Sequence, residues 1–322
     1  MIQDTMPEQQ QNLDTQQATL VSSQLFEQCM LLKSRSQMDE AIKVISEAIT
    51  IRPDYYEAYI LRGEILLEID HQKALSDLNK AIELNPQFPQ GYYHRSIYHL
   101  KQKDFNSALK DCDSSIQSNP KFSLAYVRKG ITLICLHHQE EALKCYYKAL
   151  EIDNKCWQAY NNRGALFTDM KKNTLALMDY NKSIELNPNG DLAYNNRGIL
   201  YKDTGKFDLS LSDFNKAIQL NQNCNLAYFN RGLLYLKVGK LEQSLNDFDK
   251  AIALDKNNPL FYLTRGALLQ KMGKNQQGFH DIKKALELNS GNTQNKENQQ
   301  KIQSHQIQEP QRSSQGCCCQ IY

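Results

Sequence analysis

Seven histidines, nine cysteines and 36 carboxylates are the side chains with which this chain could bind metal, attack a carbonyl or carry a proton. Their spacing arranges little of that chemistry. A tetrahedral metal site wants four converging Cys or His ligands, usually signalled by short Cys-x-x-Cys steps. Cys29, Cys112, Cys135, Cys145, Cys156 and Cys224 show no such step, and His137-His138, at a turn between helices, is joined by no Cys/His cluster that would complete a site. No HExxH, GxSxG, GxGxxG or GxxxxGK[ST] occurs, which removes the usual signals of zinc peptidase, serine hydrolase and nucleotide-binding chemistry. The sequence predicts no catalytic residues, no cofactor and no metal. Cys317, Cys318 and Cys319 stand together near the end. They are candidates for S-acylation, which would tether the chain to a membrane. Prenylation of Cys319 is a second reading, against which Gln320 and Tyr322 argue. Unmodified thiols are a third.

Charge and hydropathy narrow the class. Lys and Arg number 38 against 36 Asp and Glu, a formal +2, so no strong field draws a nucleic acid to the molecule. No apolar run reaches the roughly 18 residues that span a bilayer. The opening MIQDTMPEQQQ is unlike a signal peptide, and Ile2 excludes N-myristoylation. A cytoplasmic chain with reduced thiols is expected, peripheral to a membrane if the terminal cysteines are acylated.

The elements that must position any site come from an internal repeat. AYNNRGALF (159–167), AYNNRGILY (193–201) and AYFNRGLLY (227–235) recur every 34 residues. Extending this ruler gives eight units, 22–55, 56–88, 89–122, 123–156, 157–190, 191–224, 225–258 and 259–292, with tails at 1–21 and 293–322. Each unit carries two runs of helical periodicity. Gly205, Gly239 and Gly273 fall between the runs, where a positive φ ends a helix cheaply. Pro53, Pro86, Pro120 and Pro188 follow the second. The eighth position is always small (Cys29, Gly63, Ser96, Gly130, Gly164, Gly198, Gly232, Gly266). The twentieth and twenty-seventh positions are small as well. Mid-helix glycine costs about 1 kcal/mol against alanine, so these positions predict two helix backbones in close approach.

Two polar patterns recur with the same period. Arginine at position seven (Arg62, Arg95, Arg163, Arg197, Arg231, Arg265) is matched by aspartate at position twenty-three (Asp77, Asp111, Asp179, Asp213, Asp247, Asp281). The two units with Gln28 and Lys129 at position seven have Val44 and Cys145 in place of Asp. A charge-assisted, bidentate hydrogen bond within each unit is expected, structural in role. Asparagine recurs at the fifth position (Asn161, Asn195) and the sixth (Asn162, Asn196, Asn230).

These residues resemble the tetratricopeptide repeat, which has 34 residues, a helix-turn-helix form, alternating small and large positions and a closing proline. The resemblance implies an all-α, right-handed superhelical solenoid whose first helices line a concave groove for protein or peptide partners. The positions facing that groove would be apolar in the second to fourth units (Ile60, Leu67, Ile97, Leu100, Val127, Ile131, Ile134). They turn polar farther on, with Asn161, Asn162, Asn195, Asn196 and Asn230 beside Phe229. The asparagine row resembles the ladder in the tetratricopeptide grooves of O-GlcNAc transferase and kinesin light chain, where amides clasp a peptide backbone; solvated asparagines are the alternative. Clamps for the acidic tails of Hsp70 and Hsp90 would need Lys at position five and Asn at position nine. Neither occurs here, so those partners are disfavoured.

The 1–21 tail is Gln-rich and is expected to be disordered, as is 293–322. The expected function is a protein-interaction adaptor or scaffold, with a structural subunit of a large assembly (ciliary or trafficking type) as the alternative.

Overall fold

The computed structural model describes residues 8–290, and among them sixteen α-helices and no strand. The helices are α1 (Glu8–Ser34), α2 (Met38–Ile51), α3 (Tyr56–Leu66), α4 (His71–Leu84), α5 (Pro89–Lys101), α6 (Phe105–Ser118), α7 (Ser123–Cys135) and α8 (Gln139–Ile152) in a first compact unit that ends at Asn154. A second unit from Lys155 holds α9 (Trp157–Asp169), α10 (Asn173–Leu186), α11 (Asp191–Asp203), α12 (Phe207–Leu220), α13 (Asn225–Lys237), α14 (Leu241–Leu254), α15 (Pro259–Lys271) and α16 (Asn275–Ser290). Each odd-numbered helix packs on the even-numbered helix after it, and each such pair packs on the next within its unit. The class is an all-α helical-repeat solenoid.

The turns follow from a few residues. The link inside a pair passes through one left-handed residue, Gly205, Gly239 or Gly273 at φ 76–80°. Ser36, Lys103, His137 and Lys171 take the same place at φ 58–64° without being glycine. The shortened pair α3–α4 has no such residue, and Asp70 caps α4 by accepting from Lys73 N at 3.1 Å. Between pairs, Asn85, Asn119, Asn221 and Asp255 each accept from the backbone N–H two residues on, at 2.9–3.2 Å, an Asx turn that starts the next helix.

The small positions do two jobs. Serines at the twentieth and twenty-seventh positions are buried and spend their hydroxyls on the neighbouring helix. Ser210 donates to Gly198 O at 2.7 Å and Ser183 to Trp157 O at 3.0 Å. The glycines at position eight make room first for a side chain of the facing helix, with its backbone close behind at Gly63, Gly164 and Gly266. A Cβ on Gly198 would sit 2.8 Å from the Phe214 ring, and one on Gly232 would sit 2.6 Å from the Phe248 ring. At Gly266 the nearest atom is backbone, Gly278 O at 2.9 Å, and Gly63 and Gly164 meet Ala74 O and Ala176 O at 3.4 and 3.3 Å behind the side chain. The pairing is selective: Ser96 at this position belongs to a unit with small Cys112 at position twenty-four, and Cys112 is buried.

The disordered tail expected for 1–21 is corrected over 8–21, which forms the front of α1. Glutamine is a good helix former, and extending an existing helix is far easier than nucleating one. The segment 293–322, with Cys317, Cys318 and Cys319, lies outside the described residues.

Candidate functional site

Within each unit, successive odd-numbered helices come into contact (α3 with α5, α5 with α7, α9 with α11, α11 with α13), and successive even-numbered helices approach less closely. The odd helices therefore form the inner side of each stack, and their second, fifth, sixth, ninth and twelfth positions face inward.

Burial changes the apolar reading of that face. Ile60, Leu67, Leu100, Val127 and Ile131 are buried at 3–7% exposure, and only Ile97 and Ile134 are half-buried. These five side chains are buried in the stack and do not form an exposed apolar groove. In the second unit Phe229 is buried too, its ring centroid 4.7 Å from that of Phe261.

The asparagines form a bonded network. Asn196 Nδ2 donates to Asn161 Oδ1 at 3.0 Å, and Asn230 Nδ2 donates to Asn195 Oδ1 at 3.0 Å. Position six of one repeat is thus tied to position five of the one before. Asn162 Nδ2 donates to Gln158 O at 2.8 Å, while its Oδ1 is buried with no hydrogen-bond partner. Asn161, Asn162 and Asn195 are at most 4% exposed, and Asn196 and Asn230 are half-buried. Solvated asparagines do not describe this arrangement: the amides already join helix to helix, with Asn196 and Asn230 reaching the surface.

Arg and Asp meet in all six units that carry both. The Nε and Nη2 of Arg62, Arg95, Arg163, Arg197, Arg231 and Arg265 donate to the two carboxylate oxygens of Asp77, Asp111, Asp179, Asp213, Asp247 and Asp281, at 2.7–2.9 Å. Every one of these aspartates is buried. The bond to Asp raises the pKa of Arg62, Arg95, Arg231 and Arg265, so the pairs stay charged. A tyrosine three residues before each arginine (Tyr59, Tyr92, Tyr160, Tyr194, Tyr228, Tyr262) holds its ring 5.5–5.8 Å from the guanidinium. Sequence reasoning missed the third arm. Arg62, Arg95, Arg197, Arg231 and Arg265 donate through Nη1 to Ser46, Asn79, Asn181, Asn215 and Asp249 of the preceding repeat, at 2.6–3.0 Å. Lys129, in one of the two units without the Arg–Asp pair, keeps this arm alone and reaches Asp113 at 2.6 Å. The signal was present as an acceptor at position twenty-five, one unit out of frame with its donor.

Sequence reasoning also missed a polar cluster on the inner side of the first unit. Gln90 Oε1 and His94 Nδ1, one turn apart on α5, are buried with no hydrogen-bond partner. Arg128 of α7 is 7% exposed, donates to Tyr93 Oη at 3.3 Å and lies 5.3 Å from that ring. Lys33 of α1 pairs with Glu64 of α3 at 2.7 Å. Burial pushes the His94 pKa down to about 4, with Glu64 opposing and Lys33 and Arg128 assisting, so the imidazole is neutral near pH 7.

Burial also pushes the thiols of Cys29, Cys145 and Cys224 up to about 11 and that of Cys112 up to about 12. These four are protonated and poor nucleophiles. Among the described residues no three His, Cys, Asp or Glu side chains group to hold a metal ion, and no helix is long and apolar enough to cross a membrane.

Comparison with known proteins follows the same lines. Tetratricopeptide repeat family models match residues 124–156, 157–189, 192–224 and 226–258. The human Protein O-mannosyl-transferase TMTC3 is 35% identical over 78 residues, which is 24% of this chain and 8% of that protein; the mouse counterpart is 33% identical over 76 residues. The chain thus spans less than a tenth of these relatives' length. Among solved structures, the APC/C hetero-tetramer Cut9–Hcn1 superposes with a TM-score of 0.70 at 15% identity, over 86% of this chain and 54% of that one. A tetratricopeptide repeat protein from Parabacteroides merdae gives 0.58 at 19% identity, over 83% and 99%. At these identities the structures speak to fold alone. Period, helix pairing and family match agree: residues 124–258 carry tetratricopeptide repeats, and helix pairs of the same form precede and follow them.

Proposed function

We propose that the chain is a non-enzymatic adaptor that holds a peptide segment of a partner protein against the inner, odd-helix side of its repeats. The observation that carries this reading is the position of unsatisfied polar atoms. Gln90 Oε1, His94 Nδ1 and Asn162 Oδ1 are buried without hydrogen bonds and all fall on the second or sixth position of an odd helix. Leaving such a group unmade costs about 1–3 kcal/mol, a cost that a bound backbone would remove. The half-buried Asn196 and Asn230 extend the same face in the second unit. Their amides have lone pairs and N–H groups beyond those used between helices, so they can clasp a backbone without reading its sequence. Cys317, Cys318 and Cys319 would tether the adaptor to a membrane once acylated, and an alkyne-palmitate label lost on mutation of the triplet to serine tests that part.

Affinity capture with mass spectrometry tests the adaptor reading, comparing wild type with Asn162→Ala/Asn196→Ala/Asn230→Ala. Circular dichroism must accompany it, because Asn196 and Asn230 also join repeats. Partners lost from a folded triple variant support the reading; an unchanged set of partners sinks the asparagine contact. One observation favours a second reading, a subunit of a large assembly docking through its outer side. Leu175, Met178 and Leu209, on the even helices α10 and α12, are 43%, 63% and 50% exposed. Partners lost on their replacement by serine, and kept in the asparagine variant, would select that reading.

A further inference from the structure

We infer that the first unit holds its peptide in extended form along α5, with two backbone N–H groups of the ligand donating to Gln90 and His94. This rests on the adaptor reading and adds to it a site, a ligand conformation and a direction. Gln90 and His94 are four residues apart on one helix, so they stand about 6 Å apart along its axis, at 1.5 Å per residue. An extended strand turns every second N–H to the same edge, a repeat of about 6.6–6.8 Å. The two spacings agree within about 1 Å, which side-chain torsions absorb. A polyproline II helix repeats every three residues, at about 9 Å, too long for one helical turn.

Gln90 Oε1 and, in the Nε2–H tautomer of the neutral ring, His94 Nδ1 are acceptors without a hydrogen-bond partner in the free protein. Rotating either side chain toward a ligand therefore breaks no internal hydrogen bond at that atom, and the new bond relieves an existing deficit. Histidine accepts only when neutral. The groups around it are Lys33 from α1, Glu64 from α3, Tyr93 from its own helix and Arg128 from α7; burial, assisted by the cationic Lys33 and Arg128, holds it neutral against the opposing pull of Glu64. The Arg128 guanidinium, oriented by Tyr93, borders the same edge, where a strand also presents its carbonyls. Ile97, half-buried and three residues beyond His94, supplies apolar contact for a side chain.

The test uses the full-length chain and peptides selected by it from a displayed random library. In each selected peptide every backbone amide is N-methylated in turn, and affinities are read by fluorescence anisotropy against wild type, Gln90→Leu and His94→Leu, each checked for fold by circular dichroism. At least one peptide should show two sensitive amides two residues apart, each N-methylation weakening binding about tenfold. One of these effects should vanish against Gln90→Leu and the other against His94→Leu. Binding of that peptide should also weaken as the pH falls toward 4, where His94 takes up a proton. Bound peptides whose N-methyl effects are the same in wild type and both variants overturn this site and leave the adaptor reading standing. A library that yields no bound peptide overturns both.

Discussion

Gly232→Ala is expected to destabilise the protein even though alanine is the better helix former. A Cβ at position 232 would lie 2.6 and 2.8 Å from Cε1 and Cδ1 of Phe248. Carbon atoms in contact prefer about 3.5–4.0 Å, so the ring must move by about 1 Å. It has nowhere to go: Phe248 is fully buried, and the Phe229 ring packs against it with centroids 5.5 Å apart. Overpacking of this severity costs about 3 kcal/mol, and the gain in helix propensity returns about 1, for a net loss of about 2 kcal/mol. Phe248→Ala removes the obstacle. In that background Gly232→Ala should stabilise by up to about 1 kcal/mol, a reversal of sign with a coupling near 3 kcal/mol. Urea unfolding of the four chains followed by far-UV circular dichroism, with hydrogen exchange of α13 and α14 to localise the effect, measures both differences. A single Gly232→Ala variant that is as stable as wild type would refute the account of why glycine stands there.

Three further outcomes are expected. Asp213→Asn should cost about 2–3 kcal/mol in urea unfolding, because it leaves the Arg197 guanidinium half-buried beside a neutral amide; a loss below 0.5 kcal/mol would mean that the pair adds little. Lys171→Gly should raise the unfolding free energy by about 1 kcal/mol and Gly205→Ala should lower it by a similar amount, since both sit at positive φ and a side chain there is strained; like signs would contradict this. His94 has a folded pKa near 4 against about 6.5 unfolded. A base with a depressed folded pKa gives stability that is present above pH 6.5 and lost as the pH falls toward 4, because the unfolded chain takes up the proton first. The stability difference between wild type and His94→Gln should therefore shift by about 2 kcal/mol against wild type between pH 7 and pH 5, and a pH-independent difference would show that His94 is not held neutral.

Much of the fold is legible in the sequence, for a reason visible at single positions. The 34-residue period, the paired helices and the glycine turns depend on contacts within one repeat, and each is written several times over. Arg and Asp appear in the same six units and meet there, because both lie on one pair of facing helices. The candidate site was less legible. Asn196 and Asn230 were identified as inward-facing, but nothing in a single repeat shows that their amides would be engaged by Asn161 and Asn195 of the repeat before.

Sequence alone determined which positions must be small, which helices pair, and that these helices face one another through Arg–Asp bonds. Only tertiary structure decided what fills each small position, a phenyl ring at Gly232 and a backbone carbonyl at Gly266. It also decided that Ile60, Val127 and Ile131 are buried, and that Gln90 Oε1 and His94 Nδ1 end without hydrogen-bond partners. The reason is geometric. Helical periodicity fixes the side of a helix on which a residue stands, whereas its exposure and its partners depend on how closely the next repeat packs, and that is set jointly by two repeats.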